Sequence, residues 1–529
     1  MIERMKKFKN ILLTIAILSV TVWSCDDVLD QELRHSLSAA EAAQTAKGSQ
    51  AILASALIEL KRTFQSPALS VYRPCGTDLV RSGTNLVDEP ATGMPGMNTY
   101  GAGMAANSEE IAELWDNLNN GIVFANQAID GGTQSPIEEL TDDQRDRLGQ
   151  AYTMRAYLYL ELVRRFGNIP IVPLADLTEG PNFETEQQTA AVVYDSIIAD
   201  LQRAIPLMYT RSEGANDVLV PSQGMANLLL AEASLDIGDY QTAADAAEAL
   251  IGDGSYVLQP LDNIFGLDGG KAGEESNQEI VFSIGFTPDV PDEVQWTSQQ
   301  FMPLYDRTNG VARTIDTGGR PWSRLSPSDY YWSLFDANDG RLEAWHKLEW
   351  VFDDPDGLPA GATLGAVVTE ADLEAQFGAG TIQMRYLDPT TWKYAENGTY
   401  QRTTAQAEGW RNIIMLRYSH AYLAAAEAYF GLTNAAQATT YLNVLRERAY
   451  GNPSGNFGTA TFEDLVEEHG RELGHEGHRW AFLKRNGLLV ERVDMHNPDA
   501  TGNIQDRHNL WPIPLDFIDQ TGATQNPGY

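Results

Sequence analysis

The chain has 529 residues with 37 Lys+Arg against 73 Asp+Glu, a formal charge of −36. That balance argues against a nucleic-acid partner, because phosphate recognition rests on basic patches. Hydrophobic residues at 43% supply a sizeable core, 21% charge is too little for global disorder, and two cysteines cannot build a disulfide framework.

Residues 1–24 read as an export signal. Arg4, Lys6, Lys7 and Lys9 precede a mostly apolar run over 11–23 that is too short to span a bilayer of about 30 Å. The run ends in Val22-Trp23-Ser24-Cys25, and a lone Cys behind a small residue at the end of a signal is where bacterial lipoproteins are cleaved and acylated. Cys25 is therefore the expected lipidation site, and residues 25–37 the tether. Val22 and the bulky Trp23 depart from the usual lipobox, and the alternative is a secreted protein with an incidental Cys. Asp26 and Asp27 resemble the surface-export signal of Bacteroidota lipoproteins. Removal of the signal takes away four basic residues and one acid, moving the formal charge to −39. Cys75 is then an unpaired core or loop thiol.

Apolar residues at helical spacing predict helices over 38–64, 108–129, 141–166, 189–205, 221–237, 240–251, 411–430 and 434–450, the first opened by a capping-box pattern at Ser38 and Glu41. Ala226, Ala231, Ala233, Ala243, Ala246 and Ala247 flank a turn at Gly238 and Asp239, the pattern of a tetratricopeptide-type helical hairpin. A second hairpin reads through Gly431, and a third pairs 108–129 with 141–166. The fold class is mainly α: a scaffold of helical hairpins over about 108–251 and 411–450, interrupted by irregular insertions at about 67–107 and 252–410, all within one domain over 38–529. The insertions are rich in Gly, Pro, Asp and aromatics, with a period-2 run over 279–286, and long loops of this kind are usually functional.

No catalytic motif stands out. His475 and His478 are three apart, where a zincin helix needs four, and the metal reading is none. The runs around Asp336, Asn338 and Asp339 and around Asp353, Asp354 and Asp356 resemble fragments of calcium loops without the closing Glu, so only an adventitious Ca²⁺ is expected and no cofactor.

Three segments together resemble the SusD/RagB family of outer-membrane nutrient-binding lipoproteins. They are Arg164-Arg165-Phe166-Gly167-Asn168-Ile169-Pro170, then the block from Arg471 through Glu472, Glu476, Arg479 and Trp480 to Arg485, with Phe482 where Asp is usual, and finally Leu510-Trp511-Pro512-Ile513-Pro514 with the ending Gln525-Asn526-Pro527-Gly528-Tyr529. Arg417-Tyr418, Glu427, Trp115, Asn126 and the Ser24-Cys25-Asp26-Asp27 opening extend the match along the chain. Glu472, Glu476, Arg479 and Lys484 lie at spacings that allow ion pairs around Trp480 and Phe482, and Tyr529 is expected to lock the tail.

The resemblance implies a surface-exposed lipoprotein, held on the outer membrane by its N-terminal lipid. It would capture an oligosaccharide or polysaccharide and deliver it to a SusC-like TonB-dependent transporter, without being an enzyme. Stacking aromatics and hydrogen-bonding polar side chains in the irregular insertions are the expected ligand residues: Asp78, Arg81 and Tyr100 in the first, Trp296, Tyr305, Trp322 and Tyr331 in the second. Arg307, Arg313, Arg320 and Arg324 would suit an anionic glycan if their side chains converge. The competing readings are a helical-repeat protein-interaction lipoprotein without a glycan site, and a surface glycoside hydrolase.

Overall fold

The computed structural model describes residues 45–85, 94–173, 186–214, 217–265, 270–396, 400 and 402–529. The signal at 1–24, Cys25, the tether at 25–37 and the Ser38–Glu41 capping box lie outside the described residues. No helix among the described residues is long and apolar enough to cross a membrane.

Eight helices form the scaffold: α1 (Ala46–Gln65), α2 (Glu109–Gly132), α3 (Asp142–Phe166), α4 (Ala190–Ala204), α5 (Gln223–Ile237), α6 (Tyr240–Gly252), α7 (Tyr418–Gly431) and α8 (Ala435–Tyr450). Their starts are set by side chains that accept from orphan N–H groups of the first turn: Thr45, Thr141, Thr189, Ser222, Asp239 and Asn434 each do so, and Thr141 forms a full capping box with Gln144. Gly238 takes the left-handed conformation, φ +77°, that ends α5 and turns the chain into α6.

Each helix packs on the next, including α6 on α7 across the long insertion between them, so the hairpins are contiguous in space though not in sequence. α1 packs on α2, and the scaffold therefore begins before residue 108. One hydrophobic core runs from Leu53 to Ile513.

The helix expected over 411–430 is two elements. Ile413–Arg417 is a strand, and only from Tyr418 does the chain become α7. The strands among the described residues are short; those of three residues or more are β1 (Val80–Ser82), β2 (Ile280–Ile284), β3 (Leu325–Pro327) and β4 (Ile413–Arg417). β2 pairs antiparallel with β4 through a bulge, and β1 with β3. Every residue of β2 and β4 is buried, so neither strand alternates and the apolar run of β4 carries no period that separates it from a helix.

The block from Arg471 to Arg485 also differs from a continuous helix. It comprises the end of α9 (Phe462–Leu473), a turn with His475 at φ +69° and Gly477 at φ +92°, and α10 (Arg479–Arg485). Its charges pair outward rather than with one another. Glu472 bonds Arg341 at 3.0 Å and Arg417 at 2.9 Å, and Glu476 bonds Arg417 and Lys393, both at 2.7 Å. Arg479 pairs with Asp78, and Lys484 donates to the Arg164 carbonyl. These ion pairs tie β4 and α9 to the 252–410 insertion.

The tail is locked chiefly by Asn526, which is buried and donates to the Phe166 carbonyl at 2.9 Å and the Trp511 carbonyl at 2.7 Å. Half-buried Tyr529 adds a bond to the Leu510 carbonyl.

Candidate functional site

The two irregular insertions meet beside the C-terminus of α1. The backbone N–H of Trp296 donates to the Phe64 carbonyl at 3.2 Å, and the Gln65 side chain donates to the Asp292 carbonyl at 2.9 Å. The segment at Trp322 runs alongside it: Trp322 N–H donates to the Gln299 carbonyl, Ser323 to Met302 and Arg324 to Gln300, at 2.8–3.1 Å. The first insertion backs this segment, with Gly83 and Asn85 donating to the Arg324 and Ser323 carbonyls at 3.0 Å and Thr84 N–H to Ser323 Oγ at 3.1 Å.

This scaffold places the Trp296 and Trp322 rings in an offset stack, centroids 4.7 Å apart and planes at 19°. Both indoles stay half-buried, so each keeps ring surface toward solvent. The Arg324 guanidinium lies 4.4 Å from the Trp322 ring centroid, and Arg324 donates to the Pro67 carbonyl. Such stacking and cation–π contacts contribute about 0.5–1.5 kcal/mol each and fix ring orientation.

Two of the five described non-glycine residues with positive φ flank the pair, Asp292 at +63° and Ser323 at +47°. Local strain of this kind persists where surrounding structure over-determines it, and it clusters at functional sites. Gln299, whose backbone bonds those of Trp296 and Trp322, is 1% exposed, and neither atom of its amide has a hydrogen-bond partner among the described residues. Gln299, Ser323 and Arg324 are buried and hold the backbone that carries the pair, and no sequence signal marks them, since their roles depend on backbone pairing between distant loops.

The other predicted ligand residues sit elsewhere. Asp78 is fully buried between Arg479 and Arg492, and these arginines outweigh burial to hold its carboxyl below the usual range. Tyr100 is buried, its hydroxyl bonded to the Gly76 carbonyl and to Trp480 Nε1. Tyr305 is buried against Trp350 in a satellite core, and Tyr331 is buried with its hydroxyl 2.7 Å from His346 Nε2. Asp78, Tyr305 and Tyr331 are thus enclosed by protein, whereas Tyr100, though largely buried, lines a cleft at the C-terminal tail. Arg81 is part-exposed and pairs with Asp388 at 3.0 Å and Asp329 at 3.1 Å. A separate cleft of about 460 Å³, lined in part by Met104, Asn503, Gln505, Arg507 and Tyr529, lies where the tail meets the first insertion.

His475 and His478 diverge, the first toward the Leu79 carbonyl and the second against the His420 ring. Asp336 and Asp353 accept backbone N–H groups of their own turns or of neighbouring loops. Among the described residues no group of three or more His, Cys, Asp or Glu is placed to hold a metal ion. Cys75 is buried, and its thiol is pushed up to about 12 by burial.

Comparison with known proteins decides the family. A model described as the SusD family matches residues 278–529, and one described as starch-binding and associating with the outer membrane matches residues 93–231. The chain belongs to the SusD/RagB family. SusD-like protein P2 of Formosa agariphila is 27% identical over 447 residues, 79% of this chain and 81% of its own length. SusD-like protein P38 of the same organism is 25% identical across 99% of this chain and 100% of its own. Among solved structures, a SusD homolog from Bacteroides thetaiotaomicron superposes with TM-score 0.72 at 20% identity, covering 92% of this chain and 97% of that one. A laminarin-binding SusD-like protein superposes at 0.68 with 21% identity, covering 91% and 99%. Surface glycan-binding protein A from Bacteroides fluxus does so at 0.68 with 22% identity, covering 92% and 100%. Membership in SusD/RagB makes the chain a binding protein rather than an enzyme, of a family associated with the outer membrane.

Proposed function

We propose that this SusD/RagB protein captures a glycan at the cell surface on the stacked Trp296–Trp322 pair and passes it to a SusC-like TonB-dependent transporter. The observation that carries the reading is the half-buried indole stack itself, held on rigid backbone where the two insertions meet. Pyranose rings present apolar C–H faces, and indole is the side chain best suited to lie against them. The names of similar proteins, one a laminarin-binding SusD-like protein and one a surface glycan-binding protein, support a glycan as the ligand class. Cys25 is proposed as the acylated residue, with residues 25–37 as the tether and the body over 38–529 facing the medium.

Affinity electrophoresis against a panel of polysaccharides tests the capture reading. Wild-type protein should be retarded by at least one polymer, and Trp296→Ala or Trp322→Ala should weaken retention about ten-fold or more, as truncation of a buried aromatic anchor does. Unchanged affinity in both variants would remove the pair from the site. Cys25→Ala should move the protein from the membrane fraction to the soluble one, and co-purification with the transporter tests delivery.

A further inference from the structure

We infer that the Trp296–Trp322 site takes an uncharged glycan and discriminates against uronate and sulfated polymers. The inference rests on the platform reading above, and its basis is what the cationic side chains around the platform already do.

Four arginines fall within 18 positions of one another in the insertion that carries Trp322, and an anionic ligand would need them to converge. They do not. Arg313 is paired with Asp306 through its Nε at 2.6 Å. The Arg307 guanidinium lies over the Tyr386 ring, 5.9 Å from its centroid. Arg324 is 5% exposed, lies against Trp322 and donates to Pro67, so its charge supports the platform rather than facing the ligand. Arg320 is exposed and donates to the Ala405 carbonyl, pointing toward the 402–407 loop. Two further cations near the platform are likewise engaged: Lys61 pairs with Glu293, and Arg402 is buried on the Gln406 and Ala407 carbonyls.

The acids are disposed the other way. Asp289, Asp292 and Asp316 are exposed on the loops leading to the two tryptophans, and Glu408 is half-buried beside Gly409, which pairs with Gln295, on a chain of formal charge −36. A polyanion approaching this face meets repulsion before contact, since like charges raise the encounter barrier at low salt.

The test compares laminarin, starch, xylan and mannan with alginate and a sulfated galactan by calorimetry at about 20 and about 200 mM NaCl, ionic strengths that differ strongly in screening. The expected result is saturable binding to an uncharged polymer, changing less than about two-fold between the two salts, with no binding to either polyanion. Arg320→Glu should leave that affinity within about two-fold, because this side chain stands outside the contact. Binding to a polyanion that weakens several-fold with salt, or that Arg320→Glu abolishes, overturns the inference. If Trp296→Ala still abolishes that binding, the platform reading survives. Binding to none of the six polymers counts against both.

Discussion

Asp78 and Arg479 lie 401 positions apart and meet through two parallel hydrogen bonds of 2.8 and 2.7 Å, with neither side chain more than 2% exposed. Arg492 adds a third bond to the same carboxylate at 3.1 Å. The pair joins the loop before β1 to the start of α10. Removing the carboxylate strands two guanidinium groups with little water to solvate them. Asp78→Ala is therefore expected to lower stability by roughly 3–5 kcal/mol, read by urea denaturation, while the folded fraction retains glycan affinity. Loss of affinity with unchanged stability would return Asp78 to the ligand site.

The buried charges give the fold a defined response to acid. Burial alone would raise the carboxyls of Glu161 and Glu468, but Arg73 and Arg165 beside the first, and Arg341 and Arg471 beside the second, outweigh it and hold both at about 2. Burial, reinforced by Lys393, pushes His346 down to about 3, and burial likewise holds His469, His475 and His478 well below 6.5. In each case the unfolded chain binds protons that the folded one refuses. Stability is thus fully present at neutral pH, begins to fall below about 6.5 as unfolded histidines protonate, and falls more steeply below about 4.5 as carboxyls join them. Melting temperature measured from pH 8 to pH 4 should decline monotonically below about 6.5; a flat or rising profile would contradict the burial of these histidines as neutral rings.

Much of the helical scaffold was legible because its signals are local. Ser108, Thr141, Thr189, Asp239 and Asn434 stand at the helix starts that their side-chain chemistry favours. Strand β4 was not legible, since Ile413 to Leu416 is apolar at every position and both faces are buried. The site divides the same way. Trp296 and Trp322 are aromatic, loop-borne and half-exposed, whereas Tyr305 and Tyr331 are equally aromatic and loop-borne but fill satellite cores that the insertion builds for itself. Composition registers an aromatic loop; only packing decides which rings cover a core.

The family segments around Phe166 and the C-terminus, read separately along the chain, meet at Asn526. Its amide satisfies two carbonyls, on Phe166 and Trp511, that the Asn526→Ala change would leave buried and unpaired. The expected cost is about 1–3 kcal/mol per stranded group, with earlier proteolysis of the C-terminal tail in limited digestion. Asn526→Asp keeps an acceptor but loses the donors, so it should be no better than alanine.

Gly83 is required by proximity rather than by conformation. A Cβ built there would stand 2.0 Å from the Ser323 carbonyl oxygen, which is backbone and cannot yield without moving the segment that carries Trp322. Gly83→Ala should weaken glycan binding by about ten-fold or more while far-ultraviolet circular dichroism stays close to wild type. Gly361→Ala is the matched control: that position has φ +89° but nothing within 4 Å, so local strain without displacement of the platform should leave binding unchanged.

Arg324 offers the sharpest separation of platform support from ligand contact. Its guanidinium lies against Trp322 and donates to the Pro67 carbonyl, so Arg324→Ala removes the backing of one indole and a tie to the loop after α1. A cation–π contact of about 0.5–2 kcal/mol corresponds to a two- to thirty-fold loss of affinity if ring order is what binding needs. Arg324→Lys keeps a cation over the ring and should recover part of that loss for an uncharged glycan. The accompanying readout is the tryptophan near-ultraviolet circular dichroism of the unliganded protein, which should fall in Arg324→Ala as the Trp296–Trp322 stack loosens. An affinity loss with an unaltered spectrum would mean that Arg324 touches the glycan directly.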